Sequence, residues 1–279
     1  MPRWLSQLDD LLRGRRTDPQ SLADGRVPIS APGFLTLAIV LGALYGLFMG
    51  LFAVINRSPT ELMQLVASMV KLPALFLLTL LITFPSLYVF NALVGCRLTA
   101  ASMLRLLVGA IVVNLAVAAS FGPILGFFTL STTSYSFMVV LNVALLGIAG
   151  VVGLGFLLRV LRRLADWQAA QSWFEQTAEA AAPPKPDAAV PPGGDAASPA
   201  AQPTRAKLPP PAGGPSDPAG MILRVWLLIY AMVGAQMGWI LRPFIGSPNL
   251  PFEWFRPRSG NFIEGLAGAI RTLVDVSHR

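Results

Sequence analysis

Residues 34–55, FLTLAIVLGALYGLFMGLFAVI, decide the fold. The run has no charge and no proline, and it is long enough for the about 20 residues that a helix needs to cross a bilayer. It is apolar on every face, whereas a helix on the surface of a soluble domain keeps a polar side. A tail of residues 1–33 precedes it, far longer than the charged leader of a secretory signal, so the run reads as a retained anchor. Gly42, Gly46 and Gly50 recur at every fourth position, a double GxxxG on one helix face. Such a face lets a second helix approach closely. The pattern leaves open whether that helix belongs to the same chain or to another protomer.

Working outward, Asn56-Arg57 ends this first span, and Ser58-Pro59-Thr60-Glu61 reads as a capping box that opens a new helix. Leu62, Leu65, Val66 and Met69 carry that helix to Lys71 along the outer interface, before a second span from Leu72 to Leu93. After the turn Gly95-Cys96-Arg97-Leu98-Thr99, a third span runs to Ser120, where Gly122-Pro123 interrupts or ends it. Residues 131–136 form an uncharged polar loop, and a fourth span, Phe137 to Leu158, stops at Arg159, Arg162 and Arg163. Residues 34–163 are thus expected to form a four-span membrane core.

The following segment, 164–220, reads as a flexible linker. Its Pro/Ala/Gly run from 181 onward has too few large apolar side chains to offset the entropy of ordering. Asp217-Pro218 then caps a fifth span within 221–241, with Trp226 and Trp239 near its ends as interfacial anchors. The tail, 242–279, mixes Arg242, Phe244, Phe252, Trp254, Phe255, Arg256 and Arg258 with prolines. Arginines and aromatics together suit a cap at the membrane surface or a protein-binding surface. Asn261 with Glu264 caps a last helix striped by Phe262, Leu266, Ile270 and Leu273. At the other end of the chain, Trp4, Leu8 and Leu11 among Arg3, Arg13, Arg15 and Arg16 suit an amphipathic helix on an anionic leaflet or a mobile tail.

The expected fold is therefore all-α: a polytopic membrane bundle with a four-helix core, a fifth helix after a disordered linker, and amphipathic interfacial helices. The chain is 54% hydrophobic and only 13% charged, which excludes an ordinary soluble domain. Its net charge of +7 comes from residues that flank the apolar spans, not from a basic helix face, so nucleic acid is not an expected partner. Arg97, Arg105, Arg159, Arg162 and Arg163 on one side, against the uncharged 131–136 loop on the other, place the N-terminus in the cytoplasm and the C-terminus outside. The abundance of Ala, Pro and Arg points to a GC-rich bacterial genome, and so the membrane expected is a bacterial inner membrane.

Chemistry-bearing residues are sparse. Cys96 and His278 are each the single residue of their kind, so neither an intrachain disulfide nor a histidine metal site is expected. No Asp or Glu falls inside the five spans, which argues against a proton relay. Arg105 is the one charge read as lying inside a span, close enough to its end to snorkel to the surface. The intramembrane amides Asn91, Asn114, Asn142 and Gln236 serve either as hydrogen-bond links between helices or as the lining of a polar path. Each link is worth about 0.6–2 kcal/mol. Gly122/Gly126 and Ala149/Gly153 repeat the small-residue spacing, and the glycines from Gly150 to Gly155 are no nucleotide fingerprint, because no strand precedes them.

The stretch Lys71-Leu72-Pro73 through Pro123 resembles the Yip1-type membrane domain, on Gly95-Cys96-Arg97-Leu98-Thr99, Met103-Leu104-Arg105-Leu106-Leu107 and Pro123. The resemblance covers spans two and three and implies a five-span, N-in layout and contact with other proteins. Members with assigned roles are membrane-traffic proteins that meet small GTPases. The acidic-Tyr-Gly-Pro-Trp motif of that family is missing here, Tyr45-Gly46 being its nearest trace.

These readings favour a non-enzymatic membrane scaffold or assembly protein without cofactors. Its partners would be the lipid bilayer and either a membrane protein or a second copy of itself. The alternative is a small transporter or channel whose path is lined by the four amides.

Overall fold

A computed structural model describes residues 31–56, 62–93, 100–181, 218–241, 254 and 260–277. They form α1 (Ala31–Asn56), α2 (Leu62–Leu93), α3 (Ala100–Ser131), α4 (Tyr135–Ala181), α5 (Pro218–Leu241) and α6 (Phe262–Ser277). Among the described residues, four helices are long and apolar enough to span a membrane: Pro32–Asn56, Leu62–Ser86, Met103–Ser131 and Tyr135–Val160. Their outward side chains are large and apolar, among them Val40, Leu81, Phe127, Leu130 and Val151. In water such a surface would aggregate, and in lipid it is solvated. The chain is an integral membrane protein whose four long helices pack together.

Several boundaries differ from the sequence reading. Residues 62–71 do not form a separate interfacial helix, because α2 runs unbroken from Leu62 to Leu93 through Pro73 and Pro85. Pro123 likewise does not end the third span, and α3 continues to Ser131. Each proline removes one backbone hydrogen bond, whereas ending the helix within hydrocarbon would strand several. Proline therefore stops a helix less reliably in lipid than in water. α4 is also longer than expected and covers residues 164–181 of the expected linker. That stretch, LADWQAAQSWFEQTAEAA, is rich in Ala, Gln and Glu, which favour helix. The remainder of the linker, 182–217, lies outside the described residues, as do the N-terminal amphipathic segment, the Ser58–Glu61 cap and the Gly95–Thr99 turn.

The helices lie side by side in the order α5, α2, α1, α3, α4, with α6 resting chiefly on α4 and also touching α5. α1 sits at the centre because its glycines remove bulk on the α2 side. A Cβ on Gly46 would stand 2.5 Å from the carbonyl oxygen of Ser68, one on Gly50 2.8 Å from Leu65 Cα, and one on Gly42 3.0 Å from Pro73 Cβ. The double GxxxG is thus used inside the chain, against α2. The other side of α1 presents Phe48, whose ring fills the space over Gly122 and Gly126 of α3. Gly153 of α4 repeats the device against α3, where its Cβ would meet Asn114 Cβ at 2.7 Å.

α5 runs antiparallel to α2 and packs on it through Gly234, opposite Thr79, and Gly238, opposite Leu75. This is a second glycine seam, GAQMG at 234–238, that the sequence reading passed over. Trp226 is not an interfacial anchor. It is 1% exposed, stacks on Tyr230, and its indole N–H donates to Ser86 Oγ at 3.2 Å and to the Thr83 carbonyl at 3.4 Å. Trp239, half-buried at the other end of α5, donates to the Gly260 carbonyl at 3.1 Å and covers Gly265 of α6. The apolar described part of α5, Val225–Leu241, is shorter than the four spans.

Candidate functional site in an intramembrane cleft

Asn114, Asn142 and Gln236, the three amides whose side chains are described, do not converge. Asn142 is fully buried between α1 and α4, where its Oδ1 accepts from the Tyr45 hydroxyl at 2.8 Å and its Nδ2 approaches Met49 Sδ at 3.9 Å. Gln236 is exposed on α5, and its Oε1 accepts from the Phe262 amide at 3.1 Å, satisfying one of the orphan donors that begin α6. The Asn91 side chain lies outside the described residues. Asn114 lines a cavity. Among the described residues, Asn142 and Gln236 thus form two separate links, and Asn114 stands apart from both.

The expected capping box at α6 is present: Asn261 Oδ1 accepts from the Glu264 amide at 3.0 Å, and Glu264 reaches back to the Asn261 amide at 3.4 Å. Phe262, Leu266 and Leu273 of the predicted stripe are half-buried, while Ile270 is exposed. Gly260 precedes the cap at φ +89°, a left-handed conformation that glycine adopts without strain.

Of the tail residues singled out, Arg242, Phe244, Phe252, Phe255, Arg256 and Arg258 lie outside the described residues, and Trp254 is partly exposed. The Trp254 carbonyl accepts from Lys71 Nζ at 2.5 Å, and the same ammonium stands 5.7 Å from the centre of the indole ring. Lys71 is buried and lies within the span Leu62–Ser86, so Arg105 is not the one charge inside a span. A lysine within a span needs a partner to offset its desolvation, and the tail backbone with an aromatic face supplies one. Sequence reasoning placed Lys71 at a membrane edge because it took Leu72 as the start of the span.

α4 and α5 barely meet, and between them lies a cleft of about 360 Å³ floored by α2 and α3. Its walls are small or apolar: Gly147, Gly150 and Leu154 from α4, Tyr230 and Gly238 from α5, with Phe262 of α6 at one end. Cβ atoms added at Gly147 or Gly150 would meet nothing within 4 Å, so these glycines open space and do not seat a helix. Asn114 is 8% exposed, and its Oδ1 is the one buried side-chain polar atom without a hydrogen-bond partner among the described residues. Nothing in the apolar sequence around Gly147 and Gly150 separates an open glycine from a packed one, which is why the cleft was not foreseen.

These features define an all-helical, multi-span membrane protein with an open cleft between the described helices α4 and α5. No family model, curated protein or solved structure matches the chain. The Yip1-type resemblance of residues 71–123 therefore stands on its motif alone.

Proposed function

We propose that the protein is a non-enzymatic scaffold or assembly protein of a bacterial inner membrane, with five crossings, a cytoplasmic N-terminus and an external tail. The observation that carries this reading is the Lys71–Trp254 contact. A charge buried within a span is spent on holding the tail against the core, so the tail is presented at a fixed place. Four other contacts are used in the same way. Tyr45 to Asn142, Asn56 to the Thr129 carbonyl, Trp226 to Ser86 and Gln236 to Phe262 each join one helix to another.

Relative placement supports the five-crossing reading. α6 sits beside the start of α4, at the end carrying the uncharged 131–134 turn and away from Arg162 and Arg163. An odd number of crossings separates the tail from the N-terminus in this way. The aromatic and arginine residues Arg242, Phe244, Phe252, Trp254, Phe255, Arg256 and Arg258 are the contact surface in this reading.

The test is purification in mild detergent of the intact chain and of a variant carrying Phe252→Ala and Trp254→Ala. Recovery of one stoichiometric membrane partner or of a second copy, lost in the variant, supports the proposal. A lone monomer from both preparations counts against it.

A further inference from the structure

We infer that α5 and α6 are two halves of one broken crossing, so that α6 is sunk in the bilayer along α4 and its open apolar side faces acyl chains. This deepens the five-crossing reading, which side-specific labelling of position 277 tests separately, because depth is measured without regard to side.

The break between Leu241 and Gly260 lies within the bilayer. Trp226 stands at Ser86, the end of the span Leu62–Ser86, and Leu241 is only about 22 Å further along α5. A hydrocarbon core is about 30 Å thick, so α5 stops short of the far side. Gly238 accordingly stands opposite Leu75, about 20 Å from the Leu62 end of the span. The Trp254 carbonyl sits on Lys71, about 14 Å from the same end. α6 begins at a similar depth on α4. Phe262 lines the cleft, whose α4 wall starts at Val143, about 12 Å inside the span that opens at Tyr135. A second hollow sets α6 from Phe262 to Thr272 against Tyr135, Ser136, Val139 and Val143. Phe262 lines both hollows and Thr272 only the second, so α6 runs from the Val143 level back toward Tyr135.

The chemistry of both sides of the break fits that depth. Backbone groups freed inside a bilayer need partners within the protein. Lys71 donates to the Trp254 carbonyl, Trp239 to the Gly260 carbonyl, and Gln236 accepts from the Phe262 amide. Glu264, at the deep end of α6, is turned back on the cap, its carboxylate accepting from the Asn261 amide at 3.4 Å and from Asn261 Nδ2 at 3.2 Å. Phe262, Leu266 and Leu273 are half-buried, while Ile263, Ile270 and Val274 share another side of the helix and are exposed. A helix covering the surface from water keeps one apolar stripe. The second stripe is solvated when acyl chains surround it.

The test places spin labels at Ile263→Cys and Val274→Cys of the full chain in lipid nanodiscs, in a Cys96→Ser background. Ile148→Cys, on the exposed apolar side of α4, is the lipid reference, and Ser134→Cys, in the polar turn, is the water reference. Collision with oxygen, which concentrates in hydrocarbon, is compared with collision with a water-soluble nickel chelate. Position 263 is expected to favour oxygen as position 148 does. It should lie about 12 Å deeper than position 274, the length of α4 that α6 covers. Nickel access at position 263 equal to that at position 134 would overturn the proposal. So would equal depths at 263 and 274, the mark of a helix lying flat at the interface. Shielding of position 263 from both reagents would also overturn it, since a protein would then cover the stripe in place of lipid.

Discussion

Gly46→Ala is the sharpest probe of the helix packing. The added Cβ would stand 2.5 Å from the Ser68 carbonyl oxygen and 2.9 Å from Met69 Cα, both backbone atoms of α2 that cannot swing aside. Carbon and oxygen rest at about 3.3–3.6 Å, so α1 and α2 must part by about 1 Å. A gap of that size forfeits roughly a quarter to a half of the dispersion energy of each contact along the seam. Overpacking of this kind costs about 1–3 kcal/mol, offset by about 0.8–1 kcal/mol from alanine's better helix propensity. The expected net loss is up to about 2 kcal/mol. Gly150→Ala serves as the control, because its Cβ meets nothing within 4 Å and it keeps the propensity gain without the clash. Both variants are measured by reversible unfolding in mixed micelles of rising SDS fraction, followed by tryptophan fluorescence. A Gly46→Ala protein as stable as Gly150→Ala would refute the internal role of the glycine face.

Further predictions concern the links between helices. Tyr45→Phe and Asn142→Leu in a double-mutant cycle should couple by about 0.6–1.7 kcal/mol, and additive effects would mean the buried pair contributes nothing. Trp226→Phe, which removes the indole N–H bonds to α2 and part of the ring's bulk, should cost about 1–2 kcal/mol in the same micelle assay, and Trp226→Ala about 3–5 kcal/mol. Equal losses in the two would deny the packing of α5 on α2. Lys71→Met should free the tail and speed trypsin cleavage after Arg258 by about tenfold, the factor of a charge-assisted hydrogen bond. An unchanged rate would contradict the Lys71–Trp254 contact.

The spans were legible because length and an absence of charge are read directly from the chain, and the last helix because Asn261 and Glu264 stand at capping-box spacing. Pro123 misled, since a helix surrounded by lipid has stronger reason to continue than one in water. Gly42, Gly46 and Gly50 announced a close contact but not its partner, which only the placement of Ser68 and Leu65 opposite them reveals. The amides were visible as residues, yet the same side chain serves as a link at Asn142 and as an unsatisfied acceptor at Asn114. That difference depends on which helices stand across from them, and no spacing rule within one helix encodes it.

Everything proposed rests on α5 and α6 being seated on the core as a fifth crossing and its cap. Side-specific cysteine labelling in sealed vesicles tests that claim most directly. Native Cys96 is compared with Ser134→Cys and Ser277→Cys, the latter two made in a Cys96→Ser background. The account predicts that positions 134 and 277 react from one face of the membrane and Cys96 from the other. Labelling of position 277 from the same face as Cys96 would contradict it.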